Sequence, residues 1–225
     1  MQLYIGNKNY SSWSMRPWLL MRQLGIEFEE CRLRLEFEAG SPFKQAIGKV
    51  APTGKVPVLV DDGFAVWDTL AIVEYLAEKF PDHRIWPQGV QARARARSLC
   101  AEMHAGFAAL RNHCPMNIEA ELGPVGARLL DEQPALGLDL TRIHQMWQQQ
   151  LAQTGGPFLC GEFGAIDAYF APVCSRIRTY GLPVPGDAFA YVERVFELPG
   201  MQRWVADARA EQDFLADDEP YRSQA

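Results

Sequence analysis

The sequence predicts an α/β unit of order β-α-β-α-β-β-α followed by an all-α unit, on three observations. Over the first eighty residues, period-2 and helical apolar patterns take turns. An Asp62-Gly63 pair divides the run KVPVLVDDGFAVW into two strands, the strongest short hairpin signal. Beyond residue 90 the alternation stops and helical patterns follow one another.

Taken in order, MQLYIG reads as a strand. SMRPWLLMRQLG reads as an amphipathic helix with Leu19, Leu20 and Leu24 near one face and Gly25 as its stop. FEECRLRLE alternates apolar and charged residues, as a strand does, and SPFKQAIGKV opens a short helix on Ser-Pro. The hairpin follows, then DTLAIVEYLAEKF, a helix ended by Pro81. DHRIWPQG has the composition of a linker. Residues 90–118 and 139–153 carry long helical patterns. PFLCGEFGAIDAYFAPVCSRIRTYG supplies a turn and another helix, and FAYVERVFELPGMQRWVADARAE the last ones. ADDEPYRSQA is a polar tail expected to be loosely ordered. The expected division is 1–81 for the α/β domain, 82–90 for the linker, 91–215 for the helical domain and 216–225 for the tail.

A chain of 225 residues is long enough to bury sizeable cores. Its net charge of -6 argues against nonspecific binding to nucleic acid or anionic membrane. The one basic cluster, QARARARS, alternates with alanine and reads as a solvated helix. Cys31, Cys100, Cys114, Cys160 and Cys174 are scattered and odd in number, which argues against a disulfide framework or a zinc site. No metal is expected. The N-terminus lacks a signal-peptide pattern, and no apolar run is long enough to span a bilayer. A cytoplasmic protein is the expectation.

Three stretches can carry chemistry. Pro57 interrupts an apolar run where a central strand would not tolerate it. It marks either an edge-strand proline or a cis bond that offers the backbone of Val56 to an extended ligand. Asp68 and Thr69 are both good N-caps for the helix after the hairpin. Beyond capping, a helix N-terminus attracts a carboxylate and Asp68 attracts an ammonium, a pair that suits an α-amino acid head.

The third stretch is YSSWSMRPW, with three serines in four positions. Either these serines only cap the helix, or, since one cap is enough, a further hydroxyl donates to a thiolate at the helix mouth. Lowering a thiol pKa of ~8.5 by roughly 2 units requires about 2.7 kcal/mol. One charge-assisted hydrogen bond of ~1.5–3 kcal/mol and a helix terminus of ~0.3–1 kcal/mol are sufficient. If Ser14 is the N-cap, Pro17 falls in the tolerant first turn; if the helix starts at Ser12, Pro17 should distort it.

SSWSMRPWLL, APTGKVPVL and DTLAIVEYL, in this order, resemble the soluble glutathione transferase superfamily, and the SSWS stretch resembles its serine-type, zeta-like bacterial members. PFLCGEFGAIDAYFAP and AYVERVFELPGMQRW resemble that family's helix-capping segment and C-terminal helices, so the resemblance covers nearly the whole chain. It implies a thioredoxin-like domain, an all-α domain, a homodimer, and glutathione as cosubstrate.

By the same resemblance Ser11 is the activating serine, with Tyr10 and Ser12 as alternatives. Val56 pairs through its backbone with the glutathione cysteine, and Pro57 is the cis-proline. Asp68 and Thr69 hold the γ-glutamyl head, Lys55 and Lys44 reach for the glycyl carboxylate, and Asp167 caps a helix. The expected hydroxyl at Gly164 is missing. Trp13 stands where zeta members typically have cysteine, which implies a reshaped pocket and speaks against disulfide exchange.

An electrophile pocket between the domains would involve Trp13, Met103, Phe107 and Asn112, placed by position alone, with core packing the competing and favoured reading of Met103 and Phe107. An arginine for a dicarboxylate substrate does not line up with the family's pattern, although Arg176 and Arg178 are nearby. His104 and His113 read as ordinary helix residues. The expected function is a transferase directing a glutathione thiolate at a small hydrophobic electrophile, by conjugation, isomerisation or dehalogenation. A noncatalytic glutathione-binding module and a glutathione-dependent peroxide or disulfide reductase are the alternatives.

Overall fold

The structure, a computed structural model, describes residues 1–222. Its sheet has the strand order β2-β1-β3-β4. β1 (Gln2–Ile5) runs parallel to β2 (Glu29–Arg32) and antiparallel to β3 (Val58–Asp61), which pairs antiparallel with β4 (Phe64–Trp67). The parallel pair requires a crossover, and α1 (Ser12–Gln23) is that connection. α2 (Pro42–Ile47) opens on Ser41, whose side chain accepts from the Lys44 N–H. α3 (Thr69–Lys79) follows the hairpin. Asp62 and Gly63 have φ of 47° and 84°, the left-handed pair that a tight two-residue hairpin turn needs. This is the expected β-α-β-α-β-β-α order and a thioredoxin-like N-terminal domain.

Seven α-helices and a final 3-10 turn (Ala216–Asp218) complete the described residues: α4 (Val90–Ala105), α5 (Ala108–His113), α6 (Gly123–Glu132), α7 (Pro134–Thr154), α8 (Ala165–Tyr180), α9 (Gly186–Glu197) and α10 (Pro199–Glu211). α8 is the axis of this helical domain: every residue of it except Arg178 is buried. It packs against α1, so one continuous apolar core joins the sheet, α1 and the later helices. No helix among the described residues is long and apolar enough to cross a membrane.

Four expectations are corrected. The helical pattern over 90–118 is broken, because Gly106 is extended and Phe107 is left-handed at φ 58° between α4 and α5. Pro115, which has no N–H to continue a helix, lies just beyond α5. α6 was unforeseen, and α7 starts at Pro134 rather than 139, with proline in the first turn of both. α1 is buried on all sides from Ser14 to Met21, not amphipathic, because sheet and helices cover its opposite faces.

The tail, expected to be loosely ordered, packs through residue 222. Leu215 joins a small cluster with Tyr10, Leu35 and Phe43. Glu219 accepts from the Tyr10 hydroxyl, and the Tyr221 hydroxyl donates to the His113 carbonyl at 2.8 Å. Residues 223–225 of that expected tail lie outside the described residues.

Candidate functional site

The loop between β1 and α1 is polar yet buried: Asn7, Lys8 and Asn9 are each at most 2% exposed. Each is satisfied by the helical domain or by β2. Asn7 donates to Asp213 Oδ2 at 2.9 Å, and its Oδ1 accepts from the Leu35 N–H at 2.8 Å. Lys8 Nζ lies 2.8 Å from Glu30 and 2.7 Å from Asp207, over the rings of Trp18 and Trp204. Asn9 donates to Asn117 Oδ1 at 3.0 Å and accepts from the Glu119 N–H at 2.9 Å. These bonds hold the residues that follow.

Tyr10 is 6% exposed and faces the C-terminal segment, its hydroxyl donating to the Asp213 carbonyl and to Glu219. Burial and the Glu219 carboxylate push its pKa up to about 12. Ser11 is the residue before α1, which starts at Ser12, so Pro17 lies inside the helix. The Ser11 side chain does not cap that helix. Its Oγ instead lies 2.7 Å from Ser14 Oγ, which also accepts from the Gly6 N–H at 3.1 Å. Ser14 is therefore tied to β1's end and is not the N-cap. Ser12 and Trp13 are partly exposed on the first turn.

The Val56-Pro57 bond is cis. Val56 packs on the cluster that holds Tyr10, Phe43, Ile47 and Val58. Lys44 Nζ donates to the Gly54 carbonyl at 3.0 Å, and Lys55 is exposed.

Asp68 is the N-cap of α3, at φ 73°, and its Oδ1 accepts from the Leu70 N–H at 2.9 Å. Its other oxygen, Oδ2, lies 3.4 Å from Nε2 of His104. The His104 ring also meets Trp13 edge-on, with centroids 4.9 Å apart. Burial holds the His104 pKa below its ordinary value, assisted by Arg16 and Arg111 and opposed by Asp68. Thr69 is buried, its Oγ1 accepting from the Tyr169 hydroxyl at 2.8 Å.

Of the expected binding residues, Asp68 approaches the first turn of α1 through His104 and Trp13. Val56 packs on the cluster that also holds Tyr10. Met103 and Phe107 are core residues, as their competing reading had it, Asn112 is exposed on α5, and neither arginine of α8 is free. Arg176 donates to the carbonyls of Cys114 and Pro172, and Arg178 pairs with Glu193. Sequence reasoning read His104 as an ordinary helix residue and singled out neither Arg16 nor Tyr169. His104 and Tyr169 lie on helices of the other domain, and no local pattern marks them. The tripeptide Asn7-Lys8-Asn9, polar between an apolar strand and an apolar helix, was a signal available in the sequence.

Residues 10–79 match a family model described as the N-terminal domain of glutathione S-transferase. The chain is 32% identical over 186 residues to a glutathione S-transferase 1 of Dianthus caryophyllus, covering 81% of this chain and 80% of that protein. It is 28% identical over 179 residues to a maleylacetoacetate isomerase of Rattus norvegicus, covering 79% and 78%. Among solved structures, a glutathione transferase homolog from Burkholderia gl BGR1 with bound glutathione superimposes with a TM-score of 0.69 at 25% identity, covering 94% of this chain and 98% of that one.

Proposed function

Because the chain belongs to the glutathione S-transferase family as a zeta-like member, we propose that it is a serine-type enzyme that binds glutathione at the first turns of α1 and α3 and directs its thiolate at a small electrophile. The cosubstrate's γ-glutamyl head would lie at Asp68 and Thr69, its cysteine backbone at Val56, and its glycyl carboxylate toward Lys44 and Lys55. By the same resemblance the enzyme works as a homodimer in the cytoplasm, where its five unpaired cysteines stay reduced.

The observation that carries this reading is the Ser11–Ser14 pair. Two hydroxyls 2.7 Å apart exchange donor and acceptor roles by rotating a hydrogen. With Ser14 accepting from Gly6 and donating to Ser11, the Ser11 proton is left for the thiolate. Each bond in such a chain polarises the next. Tyr10 fits this role less well, since its proton is engaged by the C-terminal segment. Catalysis then rests on thiolate stabilisation and proximity.

The test is a thiolate absorbance titration of bound glutathione. Ser11→Ala should raise the thiol pKa by roughly 1–2 units, the equivalent of one charge-assisted bond. Ser14→Ala should raise it by less. An unchanged pKa in Ser11→Ala would move the role to Ser12, and saturable binding with no depressed pKa in the wild type would favour a noncatalytic module.

A further inference from the structure

The C-terminal segment closes a cavity that no residue of α1 or α3 lines. Its volume is about 210 Å³, and it lies between that segment, the loop from α5 to α6 and the end of α8. Pockets for drug-sized ligands run to ~300–1,000 Å³, so this one suits something smaller. Asn117 lines it and is 4% exposed. Its Oδ1 accepts from Asn9 Nδ2 at 3.0 Å, from the Glu119 N–H at 3.2 Å and from the Ala120 N–H at 3.1 Å, which fixes the orientation of the amide. Its Nδ2 has no partner among the described residues, yet it is not sealed in the core. A nearly buried donor without an acceptor is costly, and an acceptor in the cavity would satisfy it.

Tyr180 and Tyr221 form aromatic walls, edge to face with centroids 6.2 Å apart. Their hydroxyls are committed to the carbonyls of Pro115 at 3.0 Å and His113 at 2.8 Å, so a ligand meets the rings. Four carboxylates line the cavity, Glu119, Glu121, Asp218 and Glu219, against one guanidinium, Arg222. The balance is negative. Burial, with Asp217 and Glu219 nearby, raises the Asp218 pKa, as an acidic site short of cations does. Few of these carboxylate oxygens are free to take N–H bonds. Asp218 Oδ2 is closed off, Glu219 is engaged by the Tyr10 hydroxyl and Arg222, and Glu119 and Glu121 are exposed. Negative potential and aromatic carbon without inward acceptors suit a methylated ammonium, which has no N–H to satisfy. A primary ammonium brings three donors and suits the site less.

We propose that this cavity binds a small methylated ammonium compound that also carries a hydroxyl or carbonyl oxygen. The cationic group lies against Tyr180 and Tyr221, and the oxygen accepts from Asn117 Nδ2. An occupant also braces the loop before α1, because Asn117 holds Asn9 and Glu219 holds Tyr10. The site is independent of where glutathione binds.

The experiment is calorimetry on the full chain with three probes. Choline carries charge and hydroxyl, tetramethylammonium lacks the oxygen, and dimethylbutanol with carbon in place of nitrogen lacks the charge. Choline should bind saturably. The uncharged isostere should bind at least about tenfold more weakly, and tetramethylammonium about fivefold more weakly. Tyr221→Leu should weaken choline about tenfold, and saturating glutathione should leave it within about twofold.

No saturable binding of choline would overturn the proposal. So would equal binding of the uncharged isostere, which would make the cavity merely apolar, or equal binding of tetramethylammonium, which would remove Asn117 from the site. Displacement of choline by glutathione would place it in the transferase site instead. If Tyr221→Leu does not fold, nuclear Overhauser contacts from the choline methyls to the Tyr180 and Tyr221 rings in the wild type decide the location, and contacts to other rings alone would overturn it.

Discussion

Asp68 divides its two oxygens between a helix cap and the proposed head-group site. Oδ1 is committed to the Leu70 N–H, while Oδ2 faces His104 across the domain boundary. Because burial disfavours the charged imidazole, His104 meets Asp68 as a neutral partner at neutral pH and leaves the carboxylate's charge for an ammonium. Asp68→Ala should therefore weaken glutathione about tenfold or more in calorimetry, the scale of one charge-assisted bond of ~1.5–3 kcal/mol. An affinity that did not move would misplace the γ-glutamyl amine. Asp68 and Thr69 were legible as a candidate site because, beyond capping, a helix N-terminus with an acidic side chain can meet both charges of an amino-acid head. His104 was not legible, since a lone histidine on a helix has no spacing that reveals what faces it.

At the scale of an element, the start of α8 decides how the helical domain is pinned. Asp167 is fully buried and accepts from the Gly164 N–H at 3.0 Å, the Leu159 N–H at 3.1 Å and the Tyr191 hydroxyl at 3.0 Å. Burial pushes its pKa up to about 7 from an ordinary 3.8, although those three donors pull it down. Between these values the folded protein holds a proton that the unfolded chain releases, so stability from this group falls as pH rises through the window. Asp167→Ala leaves three buried donors unpaired and should cost about 3 kcal/mol or more in urea denaturation at pH 5. The gap to wild type should narrow by pH 8. A gap that stayed constant over this range would mean that the three donors outweigh burial and the carboxylate is charged in the folded protein as well.

At the scale of the whole molecule, the loop Asn7-Lys8-Asn9 joins the two domains by buried polar bonds. Lys8 is its centre, with Glu30 of β2 and Asp207 of α10 on the same ammonium. Lys8→Met would leave two half-buried carboxylates facing each other without the cation. A loss of about 3 kcal/mol is expected in denaturant unfolding, together with weaker protection from hydrogen exchange at Ser11 and Ser12. Unchanged protection there would show that α1 holds its first turn without the loop. The C-terminal segment adds a second tie, since Asp213, Leu215 and Glu219 fold back onto Asn7 and Tyr10.

The sequence by itself determined the element order, the hairpin, the thioredoxin-like and helical halves and the residues at the mouths of α1 and α3. These are local properties: apolar period, turn chemistry and cap chemistry act within a few residues of the chain. Tertiary structure alone decided that Ser14 braces Ser11, that Tyr10 is turned toward the C-terminal segment, and that His104 and Tyr169 meet the α3 N-terminus. Each of those relations joins atoms on different elements. Burial and hydrogen-bond partners arise only when the elements pack, and they set which hydroxyl is free and which polar atom lacks a partner.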